Sequence, residues 1–355
     1  MLQLSYKKHV LQFKKPAGTS RGVLHRKTSY YLLVHDTENP EITGIGECST
    51  IKELSPDPWD RYEETLRAVC RGPEPPEYWL QSGLDDFPSI RFGLETALLD
   101  WQKGGQRLLF PSAFTNGSRG IPINGLIWMG DTAFMKKQIR EKLENGFRCI
   151  KLKIGAIDFE QELALLKMIR NEYPENELEL RVDANGAFSP EEAMEKLEKL
   201  SHFQLHSIEQ PVRQGQWDVM SRLCRESPVP IALDEDLIGL KTAEEIEKLL
   251  TRVQPQYIVL KPSLLGGFAK SRLFIALAGQ KGIGWWVTSA LEGNIGLNAI
   301  AQWTFLLDNP MPQGLGTGQL FKNNVSSPLY IEKAQLKFDT ENRWDLNVIA
   351  SLPGD

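Results

Sequence analysis

The sequence predicts an α/β protein, a parallel (β/α) barrel preceded by an α+β unit. Two observations carry this. From about residue 120 to residue 320, short apolar runs alternate with helix-like segments. Five of those runs close on a charged residue, Lys153, Asp183, Glu209, Asp234 and Lys261, at intervals of 25 to 30 residues. That interval is one strand plus one helix. Charges at the C-terminal ends of successive parallel strands converge on one face of a barrel, the face that carries active sites in such folds.

The N-terminal unit, residues 1–115, has a different pattern. Residues 4–13, 23–36 and 42–48 are strand-like, with turns expected at 16–18 and 37–40. Residues 62–70 and 89–102 have helical periodicity. Strands followed by helices indicate an α+β cap rather than more barrel.

The barrel is expected over residues 116–321. Its first strand spans 121–129, and a helix follows that Gly146 stops. Residues 148–154 form the second strand, with a helix over 159–173. The third, 178–183, leads through Asn185 and Gly186 to a helix with Ser189 as N-cap and Pro190 in first position. Residues 206–210, 231–235 and 257–261 are the next three strands, each with its helix. Residues 285–289 precede a helix from about 295 to 307, and 312–316 is the eighth strand. Eight units in about 200 residues make a short but complete TIM-like barrel. The tail, 322–355, is β-like at 329–338 and is expected to rejoin the N-terminal unit, because the barrel is already full.

The net charge of −5 gives no electrostatic reason to expect nucleic acid or an anionic membrane as partner. No apolar run approaches a membrane span, and the N-terminus lacks a signal-peptide core, so a cytoplasmic protein is expected. Cys48, Cys70, Cys149 and Cys224 are scattered and read as buried thiols. The expected partner is a small-molecule carboxylate. An oligomer is compatible with the sequence, which does not specify one.

The three acids end neighbouring strands. In a barrel mouth they would repel one another unless a hard divalent cation sat between them, and Mg2+, with Mn2+ able to substitute, suits such a set. One acid at a strand end is ordinary surface polarity; three in step with the repeat are not. Lys153 and Lys261 end the second and sixth strands, four apart in eight, and so face each other across the mouth. Lys151 points the same way as Lys153. Lys151 and a cation would disfavour a second ammonium at Lys153, leaving it free to act as general base. Two lysines across a metal-bound substrate suit removal of a proton next to a carboxylate. No histidine follows the fourth strand, so a histidine base on the sixth or seventh is excluded; His206, at the far end of its strand, is structural. Asn185 and Glu235 follow two of the acids and support them. Ser289, Gly314, Gly316 and Thr317 lie at the ends of the last two strands, where small residues leave room and amides can meet an anionic group. For the glycines, turn geometry alone is an equal explanation. Arg21 is a candidate for a substrate carboxylate or a solvated loop residue.

The runs KLK at 151–153, DAN at 183–185, EQP at 209–211, DED at 234–236 and KP at 261–262 resemble the enolase superfamily, in its muconate-lactonising-enzyme-like branch. GECST at 46–50, TSALEGNIG at 288–296 and GLGTGQLF at 314–321 make the chain most similar to the o-succinylbenzoate synthase family of that branch. The resemblance covers nearly the whole chain, including the capping domain. It implies syn dehydration of 2-succinyl-6-hydroxy-2,4-cyclohexadiene-1-carboxylate (SHCHC) with Mg2+ bound by Asp183, Glu209 and Asp234. It implies Lys153 as base and Lys261 as the opposing cation. The alternatives are racemisation of an N-succinylamino acid or dipeptide and a lactonising activity; a non-catalytic barrel fits less well. Dipeptide epimerases of the branch place an acidic D-x-D where this chain reads GLGTG, which counts against dipeptides.

Overall fold

The computed structural model describes residues 2–19, 22–128, 131–155 and 157–354. Strands β1 (Leu2–Thr19), β2 (Gly22–Asp36) and β3 (Asn39–Ser49) form an antiparallel sheet in that order. Side-chain alternation gives the sheet two buried faces. Tyr30, Leu32 and Val34 of β2 pack in the cap core with residues of α1 (Tyr62–Arg71) and α3 (Pro88–Gln102); a short α2 (Pro76–Tyr78) lies between those helices. Lys27, Ser29 and Tyr31 occupy the other face, which is turned to the barrel. A Cβ on Gly44 or Gly46 would overlap the carbonyls of Ala97 and Gly93, so glycine there lets α3 lie directly on β3.

The turn expected at 16–18 is instead part of β1, whose pairing shifts register between Gln12 and Ala17. β1 is the sheet edge, where the missing N–H of Pro16 is harmless. Arg21 lies outside the described residues, as does Met129.

The barrel chain begins with β4 (Ile121–Pro122) and β5 (Gly125–Ile127), then α4 (Thr132–Glu144) and β6 (Cys149–Lys153). It continues with α5 (Phe159–Glu172), β7 (Glu179–Asp183), α6 (Ala193–Ser201) and β8 (Ser207–Glu209). Next come α7 (Trp217–Glu226), β9 (Ile231–Leu233), α8 (Ala243–Val253) and β10 (Tyr257–Leu260). Last are α9 (Pro262–Leu265), α10 (Phe268–Gln280), β11 (Gly284–Val287) and α11 (Asn294–Leu306). Strands β5 to β11 form one parallel sheet in sequence order. Helix α6 starts later than expected. Ser189 and Glu192 still cap each other reciprocally, at 3.2 and 3.4 Å, but the turn between them is not regular α-helix.

Two expectations for the barrel strands also need correction. Residues 312–316 are not a regular eighth strand. Gln313 bridges Ile123, and Gly314 bridges Thr288. The Asn124 amide donates to the Gln313 carbonyl at 3.0 Å and the Gly314 amide to the Val287 carbonyl at 2.8 Å. These few bonds close the curled sheet. A proline and two glycines in five residues hold no longer ladder, and a Cβ on Gly314 would collide with the Thr288 side chain. The first strand is also divided. β5 joins the barrel, whereas β4 pairs with β13 of the tail hairpin, β12 (Leu329–Glu332) and β13 (Gln335–Phe338).

The tail therefore serves both halves. Its hairpin stays with the barrel, and the stretch beyond the hairpin reaches the cap sheet. Ile349 of α12 (Asn347–Ser351) packs with Tyr31 and Ile45, and the Lys7 ammonium donates to the carbonyls of Ile349 and Ala350, each at 3.0 Å. Among the described residues no helix is long and apolar enough to cross a membrane. All four cysteines are free thiols, and Cys70 alone is only half-buried.

Candidate active site

Register assembles the site. Lys153, Asp183 and Glu209 are directly paired residues across β6, β7 and β8, so their side chains share one layer at the strand ends. Asp234 follows β9 and Lys261 follows β10. One carboxylate oxygen from each of Asp183, Glu209 and Asp234 lies within 4.8 Å of the others, and all three residues are buried. Lys151, two residues before Lys153, contacts Asp183 at 2.9 Å and Glu209 more closely still. The Lys153 ammonium donates to Asp183 Oδ2 at 2.8 Å and to Asn185 Oδ1 at 2.7 Å. Lys261 donates to Asp234. β6 and β10 lie four strands apart in the sheet, which sets Lys153 and Lys261 on opposite sides of the acids.

Three acids and three lysines balance in formal charge, yet hydrogen bonding is incomplete. Glu209 Oε1 and Asp234 Oδ1 are buried and have no hydrogen-bond partner among the described residues. Orphaned buried acceptors are costly. An all-oxygen donor set with free lone pairs fits a hard divalent cation.

Burial opposes every charge in this cluster, and the neighbours answer it unequally. Burial would raise the Asp183 carboxyl, but Lys151 and Lys153 hold it well below the ordinary carboxylate range. Burial pushes Glu209 up to about 7, with Lys151 resisting and Asp183 adding to the rise. Burial also raises Asp234, against the pull of Lys261. Burial would lower Lys151 and Lys261, but their carboxylate partners, chiefly Asp183 and Asp234 respectively, leave both raised. A cation bound among these carboxylates would favour their charged forms, as the neighbouring lysines do.

Other predicted residues fall where the chain order suggested, with more specific partners. Asn185, at a positive φ of 45°, donates from its backbone N–H to Asp183 Oδ1 at 3.0 Å and from its side chain to Glu235 Oε1 at 3.0 Å. Asn185 thus links Glu235 to the Lys153 amine. A cavity of about 630 Å3 opens above, with Lys151, Lys153, Asp183, Asn185 and Lys261 in its lining. Ser289, Gly314, Gly316 and Thr317 line another part of it, and the Ser289 and Thr317 hydroxyls hydrogen-bond at 2.6 Å. Phe13, Ala17, Leu24, Ile51 and Leu54 of the N-terminal unit complete the wall. His206 stacks on Tyr257 and meets the edge of Trp286, away from the carboxylates.

Gln210 does more than the sequence suggested. Held at a φ of 39°, its side-chain carbonyl oxygen accepts from the Asp234 and Asp236 amides at 3.2 and 3.3 Å, and its NH2 donates to Asp236 at 2.7 Å. It fixes the Asp234 backbone from the neighbouring strand. The sequence marked it only as the middle of the EQP run, a residue expected to fix the strand exit after Glu209.

Residues 134–340 match the enolase C-terminal domain-like family. The o-succinylbenzoate synthase of Desulfotalea psychrophila is 49% identical over 93% of this chain and 97% of its own length. A crystal structure of MenC from the same organism superposes with a TM-score of 0.84 at 45% identity, over 95% of this chain and 99% of that one. The N-succinylamino acid racemase of Thermus thermophilus is 36% identical, over 44% of this chain and 40% of its own. The chain belongs to the enolase superfamily and, within it, to the o-succinylbenzoate synthases.

Proposed function

We propose that this chain dehydrates SHCHC to o-succinylbenzoate, a step of menaquinone biosynthesis, with Mg2+ as its cofactor. The reading is carried by the two lysines set on opposite sides of three convergent carboxylates, in a chain 49% identical to a protein of that name. Enolase-superfamily sites combine a Lys or His base with Mg2+. Here Asp183, Glu209 and Asp234 would hold the ion, and Mn2+ would substitute. When bound there, the ion supplies positive charge against the negative charge that develops on the substrate carboxylate.

Lys153 removes the proton from the ring carbon that bears the carboxylate. The electron pair moves into the ring and the C–O bond to the hydroxyl breaks on the same face. Lys153 returns the proton to the departing oxygen, water leaves, and the ring becomes aromatic. Lys261 remains an ammonium on the other face, close to the anionic ring. Lys151 holds Asp183 and Glu209 together. Asn185, tied to Glu235, orients the Lys153 amine. Ser289, Thr317 and the backbone at Gly316 receive an anionic group of the substrate, while Gly314, its amide already bonded to Val287, only leaves room.

The same lysine pair suits racemisation of N-succinylamino acids, the activity named for the Thermus thermophilus relative. Purified protein with Mg2+ is expected to convert SHCHC to o-succinylbenzoate faster than it racemises N-succinylamino acids. The reverse order of rates would overturn the assignment.

A further inference from the structure

Lys27 is the one buried lysine outside the barrel layer that reaches from the cap to the barrel among the described residues. It sits on β2 and is 6% exposed. Its ammonium donates to the Ser49 hydroxyl at the end of β3 and to the Leu291 carbonyl, at 2.7 Å, in the loop after β11. Glu47 and Glu292 provide the nearby negative charge, which works against the effect of burial on this amine. Both carboxylates are already engaged. Glu47 accepts from the Gly293 and Gly296 amides at 2.7 and 3.0 Å, and Glu292 from Ser263 and the Ala290 amide.

The three segments joined by Lys27 share a property. Leu24 lies three residues before it, Ile51 two residues after Ser49, and Leu291 is the residue whose carbonyl it binds. All three residues line the cavity above the carboxylates, as does Ala290, and they pack in one cluster with Leu264. Leu291 has a φ of 59°, a conformation that a leucine keeps only when its surroundings enforce it. Its N–H donates to Ser289 Oγ at 3.0 Å and its C=O accepts from Lys27, so both polar groups of the strained residue are held. Lys27 itself does not line the cavity.

We propose that Lys27 is a positioning residue that fixes the apolar wall of Leu24, Ile51 and Leu291 against the substrate ring, and so sets substrate affinity rather than the rate of proton transfer. The ring is that of the dehydratase reading, on which this role rests, and Lys27 is tested separately from it. Lys27→Met keeps the aliphatic stem and removes the donor. KM for SHCHC is expected to rise about tenfold or more, with kcat within about threefold of the parent, the pattern of lost uniform binding. Leu291→Ala raises KM as well, and the double variant rises by less than the product of the two, because both act on one wall. Amide hydrogen exchange over residues 289–296, read without substrate, is expected to quicken in Lys27→Met. Unchanged KM, a fall in kcat alone, multiplicative effects or unchanged exchange would each overturn the proposal. If Lys27→Met does not fold, Ser49→Ala takes its place, with a smaller rise in KM expected and no rise overturning it. Should the parent fail to turn over SHCHC, the dehydratase reading falls, and loop exchange still decides the role of Lys27.

Discussion

The proposed mechanism gives Lys153 and Lys261 different duties, and substitution separates them. Arginine stays protonated and cannot accept a proton, so Lys153→Arg is expected to lose about 10²–10⁴-fold in turnover, close to Lys153→Ala. Both should also lose exchange of the substrate α-proton with solvent deuterium. On the proposed mechanism Lys261 needs only its charge for syn elimination, so Lys261→Arg should retain measurably more dehydration than Lys261→Ala. Equal loss in the two would assign proton transfer or exact geometry to Lys261. Away from the site, burial pushes Asp57 up to about 7, against the Ser89 hydrogen bonds at 2.7 and 3.1 Å. Between the ordinary carboxylate range and pH 7 the folded state keeps a proton that the unfolded state releases. This group's contribution to stability is therefore complete at low pH and lost as pH rises through 7. The stability of Asp57→Asn relative to the parent should improve by up to about 4 kcal/mol from pH 4 to pH 8, followed by urea unfolding. A difference that does not vary with pH would mean that Asp57 is solvated. The residues of the site were readable because charge at an inward strand end is rare without a reason. Asp57 and Lys27 were not, since nothing local marks a charged residue as buried.

Among the elements, two barrel helices take N-terminal partners from the cap. Glu95 of α3 accepts from the Phe268 and Ala269 amides at the start of α10, at 2.6 and 3.2 Å, and Glu47 of β3 does the same at the start of α11. A carboxylate there satisfies orphan N–H groups and complements the helix dipole. Glu95→Ala should destabilise the protein by about 1–3 kcal/mol in urea, with Glu95→Gln recovering much of that loss. No loss in Glu95→Ala would mean that water satisfies those amides. These caps were invisible in the sequence because the capping residue lies far from the helix it caps. By contrast the Thr242 and Glu245 capping box of α8 is local. The parallel strands were legible as apolar runs buried on both faces. The closing segment was misjudged in form, since Pro312, Gly314 and Gly316 allow bridges but no ladder.

On the scale of the whole molecule, the proposed metal site would tie cation binding to stability. Three convergent buried acids, two of them with an unpaired oxygen, raise the free energy of the protein without a cation, so Mg2+ should raise Tm, equivalent to about 2.7 kcal/mol of stability at a hundredfold excess over Kd. Chelator should reverse both the shift and the activity, and Asp234→Asn should blunt the shift while still folding cooperatively. An Mg2+-independent Tm together with full activity in chelator would remove the metal from the site. The division into cap and barrel was suggested by the change of pattern near residue 116. The double allegiance of the tail was not, because alternating β-like residues do not say which sheet edge they will meet. That allegiance bears on how the chain is made. Tyr31 and Ile45 bury their barrel-side face partly against Ile349, some 300 residues downstream. At about 5–20 residues per second, roughly 15–60 s of translation separate the first of these residues from the last. During that interval the nascent cap sheet offers the cell a bare aromatic and aliphatic surface, and its finished form is a late, post-barrel event of biosynthesis.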